Sequence, residues 1–162
     1  MKEANILLVD DEKDFIDTMA KRLGKRELNI SKAFSGEEAL AHIEDHPDVE
    51  VVILDIKMPG IDGIETLREL KKKHKFLEVI ILTGYGRIDS YKEATELGVF
   101  SYLEKPYDID NLLEEIKNAY YTRLKKKFRH DKKRTEELEV LAMGSSPLAI
   151  LKSLMEMDHA EK

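Results

Sequence analysis

The chain predicts an α/β fold: a doubly wound parallel sheet of five strands with helices on both faces, followed by an α-helical tail. Three observations lead there. Strand-like and helix-like stretches alternate five times between residue 6 and about residue 120, the pattern of βα units around a parallel sheet. The runs at Ile6–Val9, Val49–Leu54 and Glu78–Leu82 are almost unbroken apolar, as in strands covered on both faces. The charge balance then changes sign. Residues 1–118 carry 17 Lys and Arg against 26 Asp and Glu, a net −9, and residues 119–162 carry 10 against 7, a net +3. That shift marks a boundary near residue 122, giving a domain over 1–122 and a helical extension over 123–162.

Ile6–Val9 reads as the first strand. Glu12–Gly24 follows as a helix, with Phe15, Ile16, Met19, Ala20 and Leu23 at helical spacing and Gly24 as the stop. Leu28–Ala33 is a weaker strand. Ser35 caps the next helix, with Glu38 completing a capping box, and Ala39, Leu40 and Ile43 turned inward. The third strand, Val49–Leu54, runs into Pro59-Gly60, a turn signal. Asp62–Lys73 is the third helix, Glu78–Leu82 the fourth strand and Ile88–Leu97 a helix stopped by Gly98. Val99–Leu103 is the fifth strand, and Asp108 caps a long final helix.

Composition narrows the class. The 162 residues include no Cys, so there is neither a disulfide framework nor a thiolate site. No apolar stretch approaches the ~18 residues of a membrane span. The first strand starts too early to leave room for a signal peptide. These features fit a cytoplasmic protein.

Chemistry concentrates where the strands end. Asp55 follows the third strand and Asp10-Asp11 follow the first; the carboxyl edge of such a sheet is where ligands bind. If those strands are neighbours, three carboxylates share one spot. At ~5 Å and an effective dielectric of ~20 each like-charge pair costs about 3 kcal/mol, so either one acid stays protonated or a cation binds. Hard oxygen donors without Cys suggest magnesium. Thr83 ends the fourth strand and Lys105 follows the fifth. A carboxylate nucleophile, a hydroxyl and an ammonium suit phosphoryl transfer, which needs mainly positioning and charge neutralisation.

The segments Leu7-Leu8-Val9-Asp10-Asp11-Glu12, Ile53-Leu54-Asp55-Ile56-Lys57-Met58-Pro59-Gly60-Ile61-Asp62-Gly63, Ile80-Ile81-Leu82-Thr83-Gly84 and Tyr102-Leu103-Glu104-Lys105-Pro106-Tyr107 resemble the receiver domain of two-component response regulators, from residue 4 to about 120. The resemblance implies a flavodoxin-like fold with strand order 2-1-3-4-5. It implies that Asp55 accepts a phosphoryl group from a histidine kinase or phosphotransfer protein. Asp11, Asp55 and the Lys57 carbonyl would ligate Mg2+ (or Mn2+), with Asp10 reaching it through water. Thr83 and Lys105 would bind the phosphoryl group, Thr83 and Tyr102 would form a switch pair, and the Lys105-Pro106 bond would be cis. Lys57 and Tyr85 flank the site and would shield the acyl phosphate from water. Such a chain is not an enzyme acting on free substrates; it catalyses only its own phosphorylation and dephosphorylation, and its output is a protein interaction with a downstream partner.

The tail is expected to extend the last helix. Ile109, Leu112, Leu113, Ile116, Tyr120, Leu124 and Phe128 continue one stripe, leaving the domain beyond about residue 122. Eight cations between Arg123 and Arg134 make a long basic helix running to about residue 143. Ser146-Pro147 then starts a short amphipathic helix over 147–157. An exposed apolar stripe needs cover: a homodimer seam through this helix or through helix 4, strand 5 and helix 5, docking back on the domain, or a partner protein. Nucleic acid is disfavoured, because three Glu follow the basic run at once, and no membrane contact is expected. The five histidines read as surface residues. Two rivals stand beside the receiver reading: a DNA-binding regulator acting through the basic tail, and an aspartyl-nucleophile phosphatase, which would need an acid where Lys57 stands.

Overall fold

The computed structural model describes residues 3–84 and 86–160; Tyr85 lies outside them, and with it the shielding role expected of that residue. Five parallel strands, β1 (Asn5–Val9), β2 (Asn29–Ala33), β3 (Val51–Leu54), β4 (Glu78–Thr83) and β5 (Ser101–Glu104), form one sheet in the order β2-β1-β3-β4-β5. Around it run α1 (Lys13–Gly24), α2 (Gly36–Asp45), α3 (Gly63–Lys73), α4 (Ile88–Glu96), α5 (Ile109–Lys127), α6 (Lys132–Leu141) and α7 (Pro147–His159). The flavodoxin-like order is the one the receiver resemblance implies.

Strand alternation builds the two layers. Ile6, Leu8, Val51, Ile53, Ile80 and Leu82 face a cluster with α1 and α5, while Leu7, Val9, Val52, Leu54, Val79 and Ile81 face the side of α2, α3 and α4. Both faces are covered, which is why β3 is apolar throughout and β1 and β4 are apolar at every position but their ends, Asn5, Glu78 and Thr83. The Ser35 hydroxyl caps α2 by accepting from Glu38 N–H at 3.1 Å. The returning Glu38 carboxylate accepts from Phe34 N–H at 2.7 Å, one residue earlier than a standard capping box would place it.

The tail corrects two expectations. First, there is no single basic helix to residue 143. α5 ends at Lys127, and Asp131 starts a new helix by accepting from Arg134 N–H at 3.1 Å. The Thr135 hydroxyl reaches back to the carbonyls of Phe128 and Asp131, closing the corner. Second, the stripe does not protrude. Leu124 is fully buried, and Leu138 of α6 with Ile150, Leu151, Leu154, Met155 and Met157 of α7 joins the cluster that holds α1 and α5. Docking back on the domain is the arrangement adopted. As expected, Ser146 caps α7 ahead of Pro147.

A buried polar cluster seats α7. Asp158, at 1% exposure, accepts from Lys127 at 2.5 Å, Arg123 at 3.2 Å and the Tyr120 hydroxyl at 3.0 Å. Glu50, just before β3, accepts from the Tyr120 hydroxyl at 2.7 Å, His159 Nε2 at 3.0 Å and Asn5 N–H at 2.9 Å. The one Tyr120 hydroxyl hydrogen serves the two carboxylates in turn. Two cations against two anions leave the cluster charge-compensated by the chain's own side chains, as buried charge requires. Burial disfavours charge on Asp158, but Lys127 and Arg123 outweigh it and hold the carboxyl below the ordinary range. His159 is therefore no surface residue: it is half-buried against Glu50, a pairing 109 residues apart in the chain. The basic run is half spent here. Arg123 and Lys127 meet Asp158, Lys126 meets Glu78 at 3.1 Å, and Arg134 meets the Met157 carbonyl.

Candidate phosphoryl-transfer site

Strand register brings the expected residues together. Val9 of β1 pairs with Leu54 of β3, and Leu54 with Ile81 of β4. Asp10 and Asp55 each sit one residue past a paired position, and Asp55 N–H donates to the Val9 carbonyl at 2.9 Å. Thr83 pairs with Glu104, which places Lys105 beside the same edge. The loop after Asp55 is tight: a Cβ at Gly63 would lie 2.1 Å from the Asp55 carbonyl oxygen, and Gly60 has φ +80°, a conformation that favours glycine. Gly63 N–H donates to the Ile56 carbonyl at 2.7 Å and closes the turn.

Asp10 and Asp55 are buried and Asp11 is exposed; one carboxylate oxygen from each lies within 4.8 Å of the others. That donor set is all hard oxygen and fits a small divalent cation. Lys105 Nζ lies 2.7 Å from Asp10 Oδ2, 3.2 Å from Glu12 Oε1 and 3.9 Å from Asp55 Oδ2. The fully buried Thr83 hydrogen-bonds the Asp55 side chain. Lys57 is exposed, and the Lys105-Pro106 bond is cis, as the receiver resemblance implies.

The electrostatics follow from this packing. Burial is the largest influence on Asp55 and raises its carboxyl above the ordinary range. The Asp10 charge adds to the rise, while the Thr83 hydrogen bond, Lys105 and the Ile56 N–H at 2.9 Å oppose it. For Lys105, burial disfavours the charge, but Asp10, Asp55 and Glu12 outweigh it and lift the ammonium above the ordinary lysine value.

Tyr102 is half-buried beyond Thr83. Its ring stands edge-on to Tyr91 at 5.5 Å, and its hydroxyl hydrogen-bonds the backbone of Arg87, the N-cap of α4. Gly86, Arg87, Ile88, Tyr91, Tyr102 and Glu104 line a groove of about 300 Å³ there; Ile88 is 76% and Tyr91 54% exposed. Sequence reasoning missed Glu12 as a Lys105 partner and read Phe15 only as core. The signal available was position: both begin the helix that follows Asp10-Asp11.

Comparison with known proteins agrees with this geometry. Residues 6–117 match the model of the response regulator receiver domain. Sporulation initiation phosphotransferase F of Bacillus subtilis is 36% identical over 118 residues, 72% of this chain and 94% of that protein. A putative NtrX-like response regulator of Rickettsia typhi is 33% identical over 163 residues, 99% of this chain but 34% of that protein, so the tail has a counterpart there and the chain spans about a third of that relative. Among solved structures, the Thermotoga maritima response regulator TrrA in complex with Mg(2+)-BeF is 35% identical with a TM-score of 0.65, over 74% of this chain and 99% of that one. No helix among the described residues is long and apolar enough to cross a membrane. With its strand order, its acid cluster and its match over residues 6–117, the chain belongs to the response regulator receiver family, the phosphorylation-dependent signalling domain of two-component systems.

Proposed function

We propose that Asp55 is the phosphoacceptor and that the chain relays a histidine kinase's signal to a downstream protein. One observation carries the reading: a buried carboxylate, a buried hydroxyl and a fixed ammonium meet at one sheet edge beside two further acids. An Asp55 oxygen attacks the phosphorus of a phosphohistidine on the kinase or phosphotransfer protein. The P–N bond breaks, its electron pair stays on the imidazole nitrogen, and an aspartyl phosphate forms. Asp10, Asp11, Asp55 and the Lys57 carbonyl would hold Mg2+ or Mn2+, which when bound neutralises the phosphoryl oxygens. Thr83 turns its hydroxyl from the carboxylate to a phosphoryl oxygen, and Lys105 supplies the fixed positive charge. The chain then acts on its own phosphoryl group only.

Output follows from the same move. As Thr83 shifts, Tyr102 fills the space behind it, and its bond to the Arg87 backbone transmits the change to α4. The face of α4, β5 and α5, with Ile88 and Tyr91 exposed on it, is the proposed surface for the downstream protein or a second copy of the chain. The basic tail offers nucleic acid little, since Arg123, Lys126, Lys127 and Arg134 are engaged within the fold. The lysine at position 57 likewise argues against a phosphatase.

The test is phosphotransfer from a phosphorylated histidine kinase domain, read by intact mass. Parent protein should gain one acid-stable, base-labile phosphate and Asp55→Asn none. Equal labelling of both would overturn the assignment. Sedimentation with and without a beryllofluoride mimic then tests the surface: a shifted profile is expected, and identical profiles at every concentration would count against a second copy as its occupant.

A further inference from the structure

Phe15 follows Asp11 by four residues on α1, and its spacing alone would put it in the core. Yet it is only half-buried, and its ring lies against the Lys105 ammonium, 4.2 Å from Nζ to the ring centroid. That is well inside the ~6 Å over which a cation is drawn to the negative face of an aromatic ring. Tyr107 stands edge-on to Phe15 at 5.7 Å and 85°. Arg22, two turns further along α1, donates to the Tyr107 hydroxyl at 3.2 Å and lays its guanidinium 5.2 Å from that ring. α1 therefore grips the loop that carries Lys105 and Pro106 on both sides.

Lys105 has two acidic partners besides the phosphoacceptor. Asp10 at 2.7 Å and Glu12 at 3.2 Å are nearer than Asp55 at 3.9 Å. To hold a phosphoryl group on Asp55, the ammonium must loosen both. A carboxylate resists that move, because it binds the cation through a directed hydrogen bond and full charge. A ring attracts the cation across its whole face and offers no such bond. It can keep Nζ over the pocket while the hydrogen bonds change hands.

We propose that Phe15 is a positioning residue for Lys105: a neutral seat on which the ammonium pivots from Asp10 and Glu12 to the phosphoryl oxygens. The proposal rests on the phosphoacceptor reading of Asp55 given above.

The test uses the full chain with Phe15→Leu, which keeps apolar bulk and removes the π face, and Phe15→Tyr, which restores it. Ile16→Val, a core change beside it, controls for lost stability. The first readout needs no phosphorylation: the ε-methylene proton resonance of Lys105, assigned by its loss in Lys105→Arg, should be shifted upfield by the ring. Phe15→Leu should return it toward the position of a free lysine, and Phe15→Tyr should keep it upfield. The second readout is the rate of Asp55 phosphorylation by phosphoramidate. It should fall about two- to five-fold in Phe15→Leu, the range expected for a partly exposed cation–π pair, and stay near the parent rate in Phe15→Tyr and Ile16→Val. A Lys105 resonance indifferent to Phe15→Leu, or an unchanged rate, overturns the seat. A parent protein that gains no phosphate, or an Asp55→Asn variant that gains as much, overturns the phosphoacceptor reading instead.

Discussion

Replacing Asp158 with Asn should destabilise the whole domain, although the residue lies in the last turn of the last helix. The substitution keeps the shape and removes one negative charge at 1% exposure. Two cations and a phenol lose the anion they converge on: Lys127 at 2.5 Å, Arg123 at 3.2 Å and Tyr120 at 3.0 Å. A hydrogen bond to a charged group contributes about 1.5–3 kcal/mol, and removing one partner of a buried ion pair typically costs 3–5 kcal/mol. Two features reduce that here. Lys127 is 28% exposed and can turn toward water, and Arg123 keeps Glu50 at 3.9 Å. The net cost should be about 2–3 kcal/mol at pH 7, or roughly 4–12 °C in melting temperature for a chain of this size. The pH dependence has a definite sign. The folded carboxyl lies below the ordinary value of 3.8, so its stabilisation is complete above that value and is lost as pH falls through the folded one. Urea unfolding of parent and variant should show a constant gap between pH 7 and about pH 5 that closes in stronger acid. A gap under about 0.5 kcal/mol at pH 7 with equal m-values, the size of an ordinary surface substitution, would refute the view that this cluster anchors α7.

Asp55→Asn should act in the opposite direction. Its carboxyl is raised by burial, so without divalent cation the charged form opposes folding above that raised value; the variant should unfold at higher urea at pH 7, with the advantage fading as pH falls toward 3.8. Leu154→Ala removes a fully buried α7 side chain and should cost about 2–5 kcal/mol in urea unfolding. Deleting residues 123–162 should expose Tyr120, which is fully buried, and strip Glu50 of His159; a lower melting temperature and stronger binding of an apolar dye are expected, and an unchanged melt would show α7 to be dispensable.

What could be read in the residues divides along physical lines. Asp10, Asp55, Thr83 and Lys105 were legible because strand ends in a parallel sheet share one edge, so four local patterns and one topological rule suffice. The corner at Asp131 was legible in principle: an Asp three residues before Arg134 is an N-cap signal, outweighed in the reading by a continuous helical stripe. Glu50, Tyr120, Asp158 and His159 were not legible. Each has an innocuous local setting, and their meaning lies in partners 31 to 109 residues away. Phe15 escaped for a different reason: a ring at helical spacing reads as core, and only its position against Lys105 reveals another use.

The two buried charge clusters occupy opposite ends of β3, Glu50 just before its first residue and Asp55 just after its last. A central strand paired on both sides offers no second arrangement through which either end could move the other, and coupling requires an element with two states. The tail is thus unsuited to sense phosphorylation through β3. α5 is a better candidate, because its N-terminal end begins four residues after Lys105 while its C-terminal turns carry Tyr120, Arg123 and Lys127. Anchoring those turns to Asp158 fixes the far end of α5. Any displacement that begins near Lys105 and Tyr102 would then be taken up at the near end, by the β5–α5 loop and by α4, whose N-cap Arg87 makes no capping hydrogen bond with its own side chain. If the proposed output surface is right, the docked tail would not read the signal; it would hold the far end of α5 still and so concentrate the response at α4, β5 and the near end of α5.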